Sequence, residues 1–317
     1  MKEFKLTEVD KLEVTVLIDN YTDALLLLGT EVVKRPLQIR PPKLPLAEHG
    51  FSCLIKVYSG SEKHVVLMDT GVSATCLFYN SDVLGIDLSE VTSIILSHGD
   101  FDHFGGLKEF LMRAGKKIDL TLHPDAFLQR RLNIAPIGLV VDMPQLDEEE
   151  LRLAGAVMHK NKEASVLASG LILASGEVSR VTDFEKGFPW AEAKNDDKWV
   201  ANLYFDDQGV AVNVKDKGLV IIGGCSHAGI INTIKHIQKV TAINKIHAVM
   251  GGFHLTGPVY EPIIGATIEE MKRIGPDFVV PMHCTGWKAV NQFADQMPQQ
   301  FLLNTVGTTY VFGLSLT

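Results

Sequence analysis

The sequence predicts an α/β (α+β) protein, a four-layer αββα sandwich in which two sheets pack face to face between outer helices. Three observations carry this expectation. Strand-like runs fall into two similar strand-rich blocks, before and after a less regular middle. Helical patterns lie between the strands of each block. Histidines beside glycines follow strand-like runs in both halves, at His98, His227 and His283.

Taken in order, Leu12–Ile18 alternates and is rich in β-branched residues, as a strand should be. Residues 22–48 carry Pro36, Pro41, Pro42 and Pro45, so they read as a long loop covering an active site. Within it, Leu25–Leu28 argues against full solvation. Phe51–Tyr58 and His64–Met68 read as strands joined by a polar turn, followed by a helix over Ser73–Leu84 and a strand over Val91–Leu96. A helix over Leu107–Ala114 and a short strand over Asp119–Leu122 close the first half. Residues 123–170 read as an irregular insertion within one domain spanning 1–317. Its acidic run, Asp147–Glu150, is a solvated helix start, because adjacent carboxylates on a helix point apart. Leu171–Ala174, Ser179–Thr182, Trp199–Phe205, Val210–Val214 and Leu219–Ile222 read as strands, the last three as antiparallel neighbours. Helices over Ala228–Lys239, Ile263–Arg273 and Lys288–Gln296 then alternate with strands over Ile246–Met250, Phe278–Val280 and Thr308–Phe312.

Composition limits the function. With 46% hydrophobic and 21% charged residues, the balance is ordinary for a soluble enzyme with a substantial core. A net charge of −8 argues against a nucleic-acid surface, which needs a concentrated basic face. It still allows a small phosphorylated substrate. The scattered Cys53, Cys76, Cys225 and Cys284 fit reduced thiols better than a disulfide framework. Met1–Asp10 has no signal-peptide core, and the apolar run Ala24–Leu28 falls far short of the ~20 residues of a membrane span. The expectation is a cytoplasmic protein with neither membrane nor nucleic-acid partner; an oligomer stays open.

The chemistry concentrates in Ser97–Gly106. Two imidazoles and two carboxylates, His98, Asp100, Asp102 and His103, crowd one short loop after Ile94–Leu96. Turn formation does not require such a set, whereas a metal does, and there are donors enough to begin two sites. Imidazole with carboxylate suits zinc, iron or manganese. Gly105–Gly106 lets the chain turn tightly into the next helix. His227 and His283 repeat the strand-end setting of His98 and read as further ligands. His254, after Gly251–Gly252, reads as an acid or a substrate ligand.

The run His98-Gly99-Asp100-Phe101-Asp102-His103 resembles the His-x-His-x-Asp-His signature of the metallo-β-lactamase superfamily, with Asp100 where the second His usually stands. Val16–Asn20, Glu48–Ser52, Gly224–His227 and Pro281–Gly286 extend the resemblance over nearly the whole chain. They point to a subgroup described as metal-dependent hydrolases, which includes dihydropterin-methyl ribofuranosyl-aminobenzene phosphate synthases. The resemblance implies the metallo-β-lactamase-like sandwich and gives His227 and His283 the later ligand positions. It implies that Asp69 orients the ligand loop through hydrogen bonds, and that Cys225 stands where an Asp usually bridges two metals. A thiolate bridge and an inert buried thiol both remain open for Cys225. The superfamily's third His motif has no counterpart around Trp199–Asn202. Asp19, Asn20 and His49 lie in family-like motifs, placing them near the same cleft by resemblance, against plain loop hydrogen bonding.

The expected centre holds two divalent ions, zinc first, with manganese or iron as alternatives favoured by the harder Asp100. One ion takes His98, Asp100 and His227; the other takes Asp102, His103 and His283. Asp102 doubles as a catalytic carboxylate, with His254 as the acid. The expected function is hydrolysis of a small phosphoester, phosphodiester or related ester by hydroxide held between the ions. The alternative is group transfer, joining a dihydropterin-methyl diphosphate to a ribofuranosyl-aminobenzene phosphate, with Lys34, Arg35, Arg40 and Lys43 holding phosphates. A metal or ligand sensor without catalysis is the third reading.

Overall fold

The computed structural model describes residues 4–36 and 42–314; Arg40 and Pro41 of the expected cover loop lie outside them. An eight-stranded sheet runs in the order Ala156–Lys160, Ile118–Leu122, Ser93–Ile95, Glu62–Met68, Ser52–Ser59, Lys11–Ile18, Thr309–Gly313, Val33–Lys34. A second sheet has the order Ser165–Leu167, Ile172–Ala174, Val210–Val214, Gly218–Gly223, Ile246–Gly252, Phe278–Met282, with Glu8–Val9 pairing beside Val210–Val214.

Alternation places the core. In Ser52–Ser59, Cys53, Ile55 and Val57 face the second sheet and pack with its Val212, Val220, Ile222 and Met250. Leu54 points the opposite way, joining Leu17, Leu67 and Ile94 against Leu77, Phe110 and Leu111 of the outer helices. On the far side, Ile221 and Val249 meet Ile234, Ile268 and Phe293 of helices Ile230–Thr241, Ile264–Ile274 and Trp287–Gln296. Both sheets are therefore covered on two faces, which is why their strands read as nearly continuous apolar runs. The layering is helix, sheet, sheet, helix, as expected.

Strand direction then positions the site. Glu62–Met68, Ser93–Ile95 and Ile118–Leu122 run parallel, as do Gly218–Gly223, Ile246–Gly252 and Phe278–Met282. Loops leaving the carboxyl ends of parallel strands gather at one edge, the usual place for a ligand in such sheets. The two edges touch: a Cβ on Gly224 would lie 2.2 Å from Ser97 Oγ.

Three elements differ from expectation. Ser179–Thr182 forms no strand; the Val181 and Thr182 amides donate instead to the Asn232 side chain. Trp199–Phe205 is not a neighbour of Val210–Val214. Only Lys198–Ala201 is extended, in a separate four-stranded sheet with Ala191–Asn195, Arg130–Ile134 and Leu139–Asp142. Asn202 to Gln208 leave the sheet, and Tyr204 takes a positive φ of 50°. Residues 123–170 are more regular than expected, with the helix Glu148–Ala154 and strands that contribute to all three sheets. Among the described residues no helix is long and apolar enough to cross a membrane.

The expected cover segment is tied beside the site by Asp23 N–H donating to Thr305 Oγ1. Its leucines are not packed as expected: Leu25 and Leu28 are 86% and 87% exposed. Arg35 donates to the Leu303 carbonyl and Thr308 Oγ1, Lys43 pairs with Asp82, and Lys34 donates to the Thr30 carbonyl. None of the three is paired with a donor residue of the site.

Candidate metal centre

The loop after Ser93–Ile95 delivers His98, and the short helix Phe101–Phe104 delivers Asp102 and His103. The turn fits only because Gly105 has no side chain; a Cβ there would sit 2.0 Å from the Val72 carbonyl. His227, His254 and His283 each follow one of the parallel strands of the second sheet. Asp102, His103, Cys225 and His283 present donor atoms within 4.8 Å of one another, and so do His98, Cys225 and His227. Cys225 belongs to both groups. The structure thus brings the expected donors together.

Hydrogen bonding fixes how the rings face. Asp69, at the end of Glu62–Met68, accepts from His103 Nδ1 at 2.6 Å and from Ser97 Oγ and N at 2.7 Å. A carboxylate only accepts, so His103 donates from Nδ1 and turns its Nε2 toward Cys225 Sγ, 3.2 Å away. Ser97 Oγ spends its hydrogen on Asp69 and accepts from His98 Nδ1 at 2.9 Å. His283 Nδ1 donates to Asn20 Oδ1 at 3.1 Å, while Asn20 Nδ2 donates to His49 Nδ1 and to the His283 carbonyl. Asp19 completes this support by accepting from His283 N at 2.7 Å and from Asn304 Nδ2 at 2.6 Å. Three imidazoles therefore have Nδ1 engaged and turn their Nε2 atoms inward, the arrangement that metal-binding histidines need.

The Nε2 atoms of His98, His227 and His283 are buried without a hydrogen-bond partner. Such groups cost roughly 1–3 kcal/mol each when left unpaired, so their convergence needs a compensating partner. Carboxylates surround them. One Asp100 oxygen lies 3.4 Å from His98 Nε2 and 3.3 Å from His227 Nε2. Asp102 Oδ2 lies 3.4 Å from His283 Nε2, 3.6 Å from His49 Nε2 and 3.9 Å from His103 Nε2. Burial disfavours charge on His98, yet Asp100, Asp207 and Asp206 together push it up to about 10. Burial also opposes the charge on Asp102, but His103 and His283 hold its carboxyl below the usual range. His227, His254 and His283 are held neutral chiefly by burial. Imidazoles, ionised carboxylates and a thiol converging in one hollow fit divalent cations, a cation taking the place of the proton that the carboxylates otherwise hold on His98, and these residues could hold them.

Several contributors were not legible in the sequence. Arg130, 3% exposed, donates from Nη1 to Asp100 at 2.8 Å and from Nη2 to Asp206, which also accepts from Gly99 N at 2.8 Å. Asp207 accepts from Ala228 N at 2.9 Å, steadying the loop of His227. The Tyr204 ring stacks on His227 with centroids 3.8 Å apart. The only local signal was the polar run Asp206–Gln208 after an apparent strand. His254 lies beside His227, centroids 4.3 Å apart, with Nδ1 buried and unpartnered. The histidines read as surface or packing groups pair with other residues: His64 with Glu62, His159 with Asp119, His247 with Asp277.

Because Asn20 acts on His283 from an exposed position, Asn20→Ala is expected to weaken zinc binding roughly 10–100-fold, the usual cost of losing a ligand's hydrogen-bond partner. Competition against a chromophoric chelator measures this, with the melting temperature as the control. Unchanged affinity would contradict the assigned role.

A layered sheet scaffold with histidine and carboxylate loops at one shared edge defines a metallo-β-lactamase type of protein. A family model for the metallo-beta-lactamase superfamily matches residues 48–132. The chain is 33% identical over 257 residues to the 7,8-dihydropterin-6-methyl-4-(beta-D-ribofuranosyl)-aminobenzene-5'-phosphate synthase of Methanocaldococcus jannaschii, covering 80% of this chain and 87% of that protein. An uncharacterized protein of the same organism is 32% identical over 251 residues, covering 78% of this chain and 88% of its own. The crystal structure of Tm1679, described as a metal-dependent hydrolase of the beta-lactamase superfamily, superposes with a TM-score of 0.73 at 24% identity, covering 96% and 99% of the two chains. The chain belongs to the metallo-β-lactamase superfamily. Within it, the chain is similar to the synthase and to the uncharacterized protein of the same organism.

Proposed function

We propose that the two donor groups hold a pair of divalent cations, zinc first with manganese or iron as alternatives, and that the chain is a metal-dependent hydrolase of small phosphorylated esters. The observation that carries this reading is the convergence of unpartnered imidazole nitrogens on ionised carboxylates around one shared thiol. His98, Asp100 and His227 would hold one ion and Asp102, His103 and His283 the other, and Cys225 belongs to both donor groups. When bound, the cations supply Lewis acidity, lowering the pKa of water and neutralising charge that develops on a phosphoryl or carbonyl oxygen.

The chain's own groups divide the remaining work. Asp102 accepts the proton of the attacking nucleophile. His254, a neutral imidazole buried beside Tyr260 with Nδ1 unpartnered, serves the departing oxygen as a hydrogen-bond donor. His49, exposed at the rim 3.6 Å from Asp102, meets the substrate's outer part. A cavity of 210 Å³ lined by Asn20, Tyr21, His283, Trp287 and Leu303 opens beside His283 and suits an uncharged portion of a small molecule. A larger cavity of 500 Å³, lined by His64, Asp119 and His159, shares no residue with either donor group.

A second reading, group transfer, is favoured by the similarity to the synthase. There an arylamine takes the place of water, and the same residues assist departure of a diphosphate. Assays of the zinc- and manganese-loaded chain separate the two. Turnover of bis(p-nitrophenyl) phosphate supports hydrolysis. A coupled product, formed only when dihydropterin-methyl diphosphate and ribofuranosyl-aminobenzene phosphate are both present, supports transfer. No turnover in either assay or across an ester panel, with metal loaded, contradicts both.

A further inference from the structure

Cys225 and Cys284 come from separate strands yet meet over a glycine. Cys225 follows Gly218–Gly223 and Cys284 follows Phe278–Met282, with Ile246–Gly252 lying between them in the sheet. Two side chains separated by an intervening strand ordinarily stand too far apart to touch. Here the intervening strand ends in Gly252. A Cβ on Gly252 would lie 2.7 Å from Cys284 Sγ and 3.3 Å from Cys225 Cα, so the missing side chain is the space the cysteines share. Their sulfurs and a His254 nitrogen lie within 4.8 Å of one another, and Cys284 Sγ is 3.5 Å from the Cys225 carbonyl. The other two cysteines differ. Cys53 is packed in the apolar layer between the sheets, and Cys76 points to the Leu46 carbonyl.

We propose that Cys225 and Cys284 are a modification site, a thiol pair that hydrogen peroxide closes into a disulfide. Cys284, the more exposed at 6% against 3%, attacks the peroxide oxygen. The O–O bond breaks, the sulfur becomes a sulfenic acid, and one water leaves. Cys225 sulfur then attacks that sulfur, forming the S–S bond; the hydroxyl departs with the Cys225 proton as a second water. Two thiols lose two electrons and one hydrogen peroxide gains them. The bond formation rests on the geometry of the pair alone. Its consequence rests on the metal reading: Cys225 is the one donor common to both groups, and in a disulfide it no longer offers a thiolate.

The test treats the full-length, zinc-loaded chain with hydrogen peroxide, blocks free thiols with N-ethylmaleimide, and maps peptides without reduction. The expected result is a cross-linked peptide joining Cys225 to Cys284, reversed by dithiothreitol, with retained zinc lowered about tenfold. Cys284→Ser and Cys284→Ala, each checked by thermal melting, are expected to give no cross-link and to keep their zinc under peroxide. Sulfinic acid on either cysteine without the cross-linked peptide overturns the proposal, as does equal zinc loss from the Cys284 variants and the parent. A cross-link in protein that binds no zinc beforehand upholds the thiol pair and removes the metal reading instead.

Discussion

Asp102→Ala is expected to lower kcat/KM on the order of 10³-fold, inside the range assigned to a positioned proton acceptor. The side chain is 12% exposed, and its Oδ2 is within 4 Å of a ring nitrogen from each of His49, His103 and His283. Its loss removes a donor from one group and the proton acceptor at the same time. The other group, His98, Asp100 and His227, stays intact, so zinc content is expected to fall by about half, as donor count governs occupancy. Steady-state kinetics together with elemental analysis checks both parts. A variant with parental kcat/KM would remove Asp102 from the chemistry, whatever its metal content.

Arg130→Ala is expected to destabilise the fold by about 3–5 kcal/mol, because it leaves two carboxylates with an uncompensated burden of buried charge. Arg130 binds Asp100 and Asp206 at once, and Asp206 is 1% exposed. Although burial works against both carboxyl groups, Arg130 holds each below the ordinary carboxylate range. That stabilisation is present above the unfolded carboxylate pKa and is lost as pH falls through the depressed folded value, so the variant's deficit is largest near neutral pH. In a chain of this size the melting temperature is expected to drop by roughly 10 °C. The neighbouring Arg131 provides the contrast. It pairs with Glu192 at 2.6 Å on the separate sheet, with both side chains 23% exposed, and Arg131→Ala is expected to cost about 1 kcal/mol or less. Equal melting shifts for the two variants would contradict the account of Arg130.

These two residues mark the limit of what the sequence reveals. Asp102 was legible because its partners His98, Asp100 and His103 are contiguous with it, and a strand-then-loop pattern exposes them at a sheet edge. His227 and His283 were legible by repeating that setting in the second half. Arg130 was not, because its role depends on a separate four-stranded sheet whose strands lie some sixty residues apart in sequence, as the Arg131–Glu192 pairing shows. Tyr204, Asp206 and Asp207 were hidden for a related reason. Local β-propensity over Trp199–Phe205 suggested a continuing strand, whereas the chain turns away at Asn202, setting the Tyr204 ring against His98 and His227 and bringing Asp206 to Gly99 N and Asp207 to Ala228 N. The layers themselves were legible from two strand-rich blocks with helical patterns between their strands, since each sheet needs helices to cover its outer face.

The most direct measurement is anomalous diffraction at the zinc edge from crystals of the zinc-loaded full-length chain. The account predicts two peaks, one bounded by Asp102, His103 and His283 and the other by His98, Asp100 and His227, with Cys225 Sγ between them. Zinc found only on exposed surface carboxylates, with both buried groups empty at saturating metal, would contradict it.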